Sequence, residues 1–432
     1  MVEVNRNAIL ERFHGYGSTK QLIGGEYERA IVRPDGGPVT YDEPFGIRWF
    51  LTQFATRWGW SPYLEGQNVI ALRKGGASIT LEPGGQFELS GKAHASLADL
   101  HTEFALNRQQ VNQLAKEAGF VAITCGLTPI TAVENIGWMP KGRYQIMRDY
   151  LPNKGDLALF MMKGTTSVQC NYDYRSEEDC ARKVKLCAGV APLTTALFAN
   201  SPLYRNRPTG FQSFRGHIWT RTDPDRTGFP AGLRDDFSFE RWVDYLLDVP
   251  MMFIHKNNDW IPAQGSTFRQ YMTSGLNGHF PNWSDWELHM TSTFPEVRIK
   301  STIEVRGADC VRHDLAVGFC ALFTGLLYNE SALEKGLDLA SEFSSYGSRE
   351  SLFDLACRSG LAGTIGERRL ADWTAELISI AQAGLKLIEP SAVELLTPLM
   401  QQANSGESPA TQLLNLWSQD PTPQSVVSAL AY

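Results

Sequence analysis

The stretch Ile79-Thr80-Leu81-Glu82-Pro83-Gly84-Gly85-Gln86-Phe87-Glu88-Leu89-Ser90-Gly91 decides how this chain folds. It predicts a strand, a tight turn and a second strand, because apolar residues run up to and away from a Pro-Gly-Gly break. Its two glutamates stand among Ile, Leu and Phe. An unpaired carboxylate in such surroundings is costly, so each needs a cation, a donor or water. The turn glycines would let backbone approach a ligand closely. Because Pro83-Gly84-Gly85 interrupts the strand, alternation leaves open whether Glu82 and Glu88 share a face.

Upstream, the strand candidate 21–33 carries Glu26 and Glu28 on one face by period two. A helix is expected over 42–58. Strands at 69–72 and 78–81 are joined by Lys74-Gly75-Gly76. Residues 96–118 form an amphipathic helix with Leu97, Leu100, Phe104, Val111 and Leu114 as its stripe, Ser96 as cap and Gly119 as stop. A buried strand follows at 121–127, then a helix to Tyr150. The strand 167–172 puts Gln169 and Asn171 on one face. Residues 176–198 read as one helix, and 200–228 as a polar loop long enough to be functional. A helix at 239–247, a strand at 251–255 and helices near 265–273 and 283–292 lead to strands at 297–305, where Glu304 and Arg306 share a face. From Cys310 onward the pattern is helical. The first three-quarters of the chain thus mix strands and helices, over about 20–330, and the last quarter, about 311–432, is helical.

Four segments thus present polar pairs: Glu26/Glu28, Glu82/Glu88, Gln169/Asn171 and Glu304/Arg306. If the strands are neighbours, five carboxylates gather on one face. Two like charges at ~4 Å repel by about 4 kcal/mol at an effective dielectric of 20, so such a group needs cations. Oxygen ligands without His or Cys point to Mg²⁺ or Mn²⁺, and clustered Mg²⁺ to a nucleotide phosphate. Arg306 would then reach a phosphoryl group in transfer. Taken singly, a Glu-x-Glu on a strand is most often a solvated face, and Arg306 beside Glu304 a plain ion pair. The argument rests on repetition. No Gly-x-x-x-x-Gly-Lys-Ser/Thr loop, no Gly-x-Gly-x-x-Gly after a strand and no Gly-x-Ser-x-Gly elbow occurs.

Composition narrows the partners. The 432 residues carry a formal net charge of −7 and are 43% hydrophobic and 20% charged, which suits a globular protein with a large core and argues against nucleic acid as the main partner. Residues 1–17 lack a signal-peptide pattern, and the apolar run 315–328 is too short to span a bilayer. No membrane partner is expected. Seven scattered cysteines without Cys-x-x-Cys fit reduced thiols in cytoplasm; Cys180 and Cys187 read as core residues.

These segments resemble one family. Gly-Gly-Glu26-Tyr-Glu28, Leu-Glu82-Pro-Gly-Gly-Gln-Phe-Glu88-Leu-Ser-Gly, Met-Pro-Lys141-Gly-Arg143-Tyr, Val-Gln169-Cys-Asn171, Ala-Leu-Phe-Ala-Asn200-Ser-Pro, Arg215-x-His-Ile-Trp219-Thr, Asp225-Arg226-Thr-Gly and Glu304-Val-Arg306-Gly-Ala-Asp309 follow in this order in plant-type glutamate–cysteine ligases. The likeness runs over about 20–330. It implies an α+β, glutamine-synthetase-like fold, with a curved, mainly antiparallel sheet, helices around it and a helical C-terminal part in one catalytic domain, 1–432, and ATP-dependent ligation of the glutamate γ-carboxylate to the cysteine amine through γ-glutamyl phosphate. It implies two or more Mg²⁺ ions (or Mn²⁺) held by Glu26, Glu28, Glu82, Glu88 and Glu304, with Gln169 a weaker ligand. Arg306 would contact the transferred phosphate, and Arg215 and Trp219 would bind substrate. Glutamate, cysteine and ATP are the implied partners, to a monomer or a homodimer. Tyr27 departs from the family, whose plant members tend to carry His there; it falls on the opposite strand face. Two alternatives stand beside this reading: a γ-glutamyl ligase for another amine, and a non-catalytic metabolite-binding relative.

Overall fold

The computed structural model describes residues 3–233 and 236–431. Nine strands make one open sheet: β1 (Ile23–Val32), β2 (Ser61–Glu65), β3 (Asn68–Lys74), β4 (Ala77–Leu81), β5 (Phe87–Ser90), β6 (Val121–Ile123), β7 (Ser167–Tyr172), β8 (Val297–Ile299) and β9 (Ile303–Asp309). They lie in the order β8-β9-β7-β1-β5-β4-β3-β2, with β6 paired to the end of β1. Every pairing is antiparallel. The strands bearing the four polar pairs are therefore true neighbours.

Alternation sorts the two faces. On β1, Ile23, Gly25 and Tyr27 point to the helix Leu97–Ala118. Tyr27 stacks on Phe104 with ring centroids 5.1 Å apart, and a Cβ at Gly25 would fall 2.5 Å from the Phe104 ring. Phe87 of β5 meets Phe50 and Phe54 of the helix Ile47–Trp58. Tyr172 of β7 meets Phe323 of the helix His313–Leu327. Burying each such ring contributes about 1.5–3 kcal/mol, which pins the register and leaves the polar residues on the opposite face.

The β4–β5 turn is closed by Gly85 N donating to Glu82 O at 2.9 Å and Glu82 N donating to Gln86 O at 3.0 Å. Gly85 has φ +91°, a conformation that favours glycine. Gly84 corrects an expectation. Its close approach is to the chain itself: a Cβ there would lie 2.2 Å from the Lys163 carbonyl oxygen.

Other differences have local causes. The helix expected over 42–58 starts at Ile47, because Phe45 takes φ +59° and Gly46 serves as N-cap. The segment 176–198 splits into Glu177–Gly189 and Ala191–Leu197, with Pro192 opening the second helix. Proline lacks the N–H that a continuous helix needs there. β2 went unforeseen because none of its five residues is buried, so it has no apolar rhythm. Within 200–228 sits the helix Phe214–Trp219, capped by the Ser213 side chain accepting from Gly216 N.

The C-terminal part is helical as expected. Its central crossing joins His313–Leu327 to Leu370–Ile388 through Gly325 and Gly384, whose missing side chains let the backbones touch. Among the described residues no single helix is long and apolar enough to cross a membrane. The seven cysteines are buried and free.

Candidate active site

The polar face of the sheet opens into a cavity of about 280 Å³. Strand register sets its floor. Glu28 on β1 stands directly opposite Glu88 on β5, and Glu88 opposite Thr80 on β4. Glu26 stands between Gln169 on β7 and Ser90 on β5. Glu82 enters from the β4–β5 turn. All four glutamates line the cavity, so Glu82 and Glu88 do share a site.

The floor lacks compensating charge. Like charges directly across a strand pair are destabilising. Glu28 accepts from the Ser167 backbone N–H and hydroxyl, Glu88 from the Thr80 hydroxyl, and Glu26 from Asn171 Nδ2 at 2.9 Å. Among the described residues the Glu82 carboxylate accepts no hydrogen bond, and Lys141 and Arg143 are its charged neighbours. Burial and the charge of Glu82 push the Glu28 carboxyl up to about 7. Burial, then Glu26, Glu28 and Glu82, hold Glu88 well above the usual carboxylate range. Such a set fits a hard divalent cation. Among the described residues no three His, Cys, Asp or Glu side chains converge tightly enough to cage one alone. A cation here would complete its shell with water and substrate oxygens, as Mg²⁺ commonly does.

Glu304 departs from expectation. It faces the same side but is fully buried and does not line the cavity. Arg298 grips both its oxygens, at 2.7 and 3.0 Å, Lys300 lies 2.7 Å away, and Arg306 Nη1 donates to it as well. Burial would raise its pKa, yet Arg298, Lys300 and Arg306 outweigh burial and hold it well below the usual range. With three cations around one carboxylate, the charge of Glu304 is matched within the chain, unlike that of the four glutamates lining the cavity. Two of its partners, Arg298 and Arg306, line the cavity. A β-bulge between Val305 and Ala308 assists by re-aiming the strand there. Gln169 lines the cavity; its carbonyl oxygen accepts from Arg306 Nη1 and its amide donates to the Ser167 hydroxyl at 3.1 Å.

Arg215 and Trp219, one turn apart on the short helix, line the same wall. Arg215 is 4% exposed; its Nη2 donates to the Arg306 carbonyl at 3.1 Å, and its Nε has no hydrogen-bond partner. The Trp219 indole N–H is likewise buried without one, and the Arg215 guanidinium lies 5.9 Å from the Trp219 ring centroid. Both residues line the cavity, so its wall here carries a guanidinium of the kind that pairs with a carboxylate.

A second cationic group was missed as such. Lys141 and Arg143, at the start of the helix Gly142–Tyr150, line the end of the cavity beside Glu82. Lys141 Nζ donates to the Leu81 carbonyl at 2.7 Å; burial and nearby Arg143 bring its pKa down to about 8. Both residues stand in the quoted Met-Pro-Lys-Gly-Arg stretch, so the signal was present in the sequence without a role attached. Arg298 became visible only through its register opposite Glu304. The cavity is thus acidic in the middle and cationic at both ends, with Lys141 and Arg143 beyond β4 and Arg215, Arg298 and Arg306 toward β9.

Known proteins fit this picture. The sequence model of glutamate-cysteine ligase family 2 matches residues 22–429. The chain is 39% identical over 404 residues to the chloroplastic glutamate–cysteine ligase of Brassica juncea, covering 92% of this chain and 78% of that protein. For the Arabidopsis thaliana enzyme the identity is also 39% over 404 residues, with 92% and 77% covered. The crystal structure of a Francisella tularensis glutamate–cysteine ligase in complex with AMP superposes with a TM-score of 0.58 at 13% identity, over 96% of this chain and 88% of that one. A bifunctional glutathione synthetase from Pasteurella multocida gives 0.52 at 13% identity, over 98% and 52%. With a family match across nearly its whole length and motif residues gathered in one cavity, the chain belongs to glutamate-cysteine ligase family 2.

Proposed function

We propose that this enzyme joins the γ-carboxylate of L-glutamate to the amine of L-cysteine, with ATP converted to ADP and phosphate. The observation that carries the reading is charge layout. Four under-compensated carboxylates lie between two cationic groups, in a family of glutamate–cysteine ligases. The glutamate γ-carboxylate and the ATP γ-phosphate are both anionic, and their mutual repulsion is a barrier the site has to lower.

Two or more Mg²⁺ ions (or Mn²⁺) held by Glu26, Glu28, Glu82 and Glu88 would supply charge neutralisation for the triphosphate. Arg306, aimed by Glu304 and Gln169, neutralises the phosphoryl oxygens. Arg215 binds the α-carboxylate of glutamate through its guanidinium, and Trp219 closes the side of that pocket. Lys141 and Arg143 stabilise anionic oxygen at the opposite end.

Chemistry then needs no protein nucleophile. A γ-carboxylate oxygen attacks the terminal phosphorus, the bond to the bridging oxygen breaks, and ADP departs. The cysteine amine attacks the acyl carbon of γ-glutamyl phosphate. The C–O bond breaks, phosphate leaves and the nitrogen loses a proton. Methionines 147, 161 and 252 with Phe253 and Phe294 give the cavity apolar walls that limit water, which would hydrolyse the acyl phosphate. A cytoplasmic setting is part of this proposal; the plant relatives are chloroplastic by name.

The test is turnover of purified protein with ATP, glutamate, Mg²⁺ and a panel of amines, with ADP release followed and products weighed by mass spectrometry. γ-Glutamylcysteine should dominate. Equal turnover with alanine or 2-aminobutyrate would overturn the acceptor assignment, and no ADP release with any amine would overturn the ligase reading.

A further inference from the structure

Behind the arginine wall of the cavity lies an acid that no step above uses. Glu296, just before β8, is 6% exposed, and its Oε2 has no hydrogen-bond partner. Isolated buried carboxylates are costly, so something must hold its charge. The backbone shows what is near. Arg306 N donates to the Glu296 carbonyl at 3.1 Å, and the Arg306 carbonyl accepts from Arg215 Nη2 at 3.1 Å. A Cβ built on Gly307 would lie 2.9 Å from Glu296 Oε2, so the carboxylate rests against the bulge of β9. Burial raises the Glu296 carboxyl, while Arg215 first and Arg306 second pull it back. Asp309 approaches Arg215 as well, with 3.9 Å to Nη1, but its oxygens are taken by Asn200 N–H and the hydroxyls of Ser201 and Ser213.

We propose that Glu296 is a positioning residue: its charge holds the Arg215 guanidinium in the orientation that receives the α-carboxylate of the amino-acid donor. The inference rests on the assignment of Arg215 given above. Arg215 has few ties of its own. One hydrogen bond to a carbonyl and one long approach to Asp309 leave its Nε open. A guanidinium with so few ties has several orientations, and a buried negative charge at Gly307, next to the carbonyl that Arg215 donates to, favours one. Gly307 is the access point. Only a residue without a side chain lets the carboxylate settle there.

The experiment combines glutamate binding by calorimetry with steady-state kinetics on the full chain with ATP and Mg²⁺. Glu296→Gln keeps shape and removes charge. It should weaken glutamate binding and raise its KM about tenfold, with kcat and the KM for ATP within about twofold. Glu296→Asp should restore most of the loss, and Gly307→Ala, which pushes the carboxylate aside, should reproduce it. In an Arg215→Ala background Glu296→Gln should add less than about twofold, since it acts through Arg215. Several results would overturn the proposal: unchanged glutamate affinity in Glu296→Gln, an equal loss for glutamate and ATP together with a lower melting temperature, or a full effect persisting without Arg215. Wild-type protein that binds glutamate yet releases no ADP would sink the ligase reading alone, because the binding arm still decides the role of Glu296.

Discussion

Glu28, half-buried, and Glu304, fully buried, are carboxylates on the same face of one sheet, two strands apart, and their surroundings are opposite. Around Glu28 stand Glu26, Glu82 and Glu88, with neutral hydrogen-bond donors for company. Around Glu304 stand Arg298, Lys300 and Arg306. One region has too much negative charge for its protein partners and the other has too much positive. The difference teaches where ligands enter. A charge already matched within the chain shapes the site, and a charge left unmatched marks where something from outside binds.

The largest test of that contrast is Glu88→Gln. It should cut turnover about a thousandfold by weakening the cation site that lowers substrate repulsion. The same change should leave the metal-free protein at least as stable as the parent, because it relieves repulsion with Glu28. Melting in a chelator and again with Mg²⁺ checks both halves. A variant that melts lower in chelator, or keeps the parental gain with Mg²⁺, breaks the claim that this region is under-compensated.

Glu304→Gln probes the other region. It strands three buried or half-buried cations, and breaking such a group costs about 3–5 kcal/mol. Urea unfolding should show that loss, and turnover should fall because Arg306 loses its anchor. The melting gain with Mg²⁺ should survive in proportion. If that gain disappears instead, Glu304 is a metal ligand after all and the contrast fails.

Proton linkage separates the two regions by sign. The folded Glu28 carboxyl, near 7, lies above its unfolded value of 4.5. Between those values the folded chain holds more protons, so metal-free stability falls as pH rises, by up to about 3 kcal/mol across the window. Glu304 lies well below 4.5 when folded. Its contribution is present above the unfolded pKa and is lost as pH falls through the folded one. Urea midpoints measured from pH 3 to 8 in chelator should therefore drop at both ends. Glu28→Gln should flatten the neutral limb and Glu304→Gln the acid limb. Both limbs responding to one substitution would mean the regions are not electrically distinct.

Much of this was legible in the sequence, and the limits follow from physics. Period-two alternation located β1, β4, β5, β7 and β9, and the ordered motifs brought Glu26, Glu28, Glu82 and Glu88 to one site. The ion pairs of Glu304 were not legible, because its neighbours in the chain say nothing of Arg298, which reaches it only through a strand pairing six residues back. Glu296 carried no pattern either. Its meaning depends on Gly307 across the bulge. β2 lacked any buried residue to give it a rhythm, and the helix break at 190 needed Pro192 to be weighed above the continuing apolar stripe.

Gly84→Ala tests the turn that delivers Glu82 to the under-compensated region, with a smaller expected effect. The new Cβ would meet backbone, the Lys163 carbonyl oxygen at 2.2 Å, and backbone cannot swing aside as a side chain does. The turn must shift, at a cost of about 2 kcal/mol. Glu82 follows the turn, and with it the contact between Lys141 and the Leu81 carbonyl. The variant should lose part of the Mg²⁺ melting gain and keep the acid limb intact, since nothing in the turn touches Glu304. An Ala at Gly85, where φ is +91°, should cost about 1 kcal/mol through backbone strain. If the two alanines proved equal in stability and in Mg²⁺ response, the close approach of Gly84 to Lys163 would not be what seats Glu82.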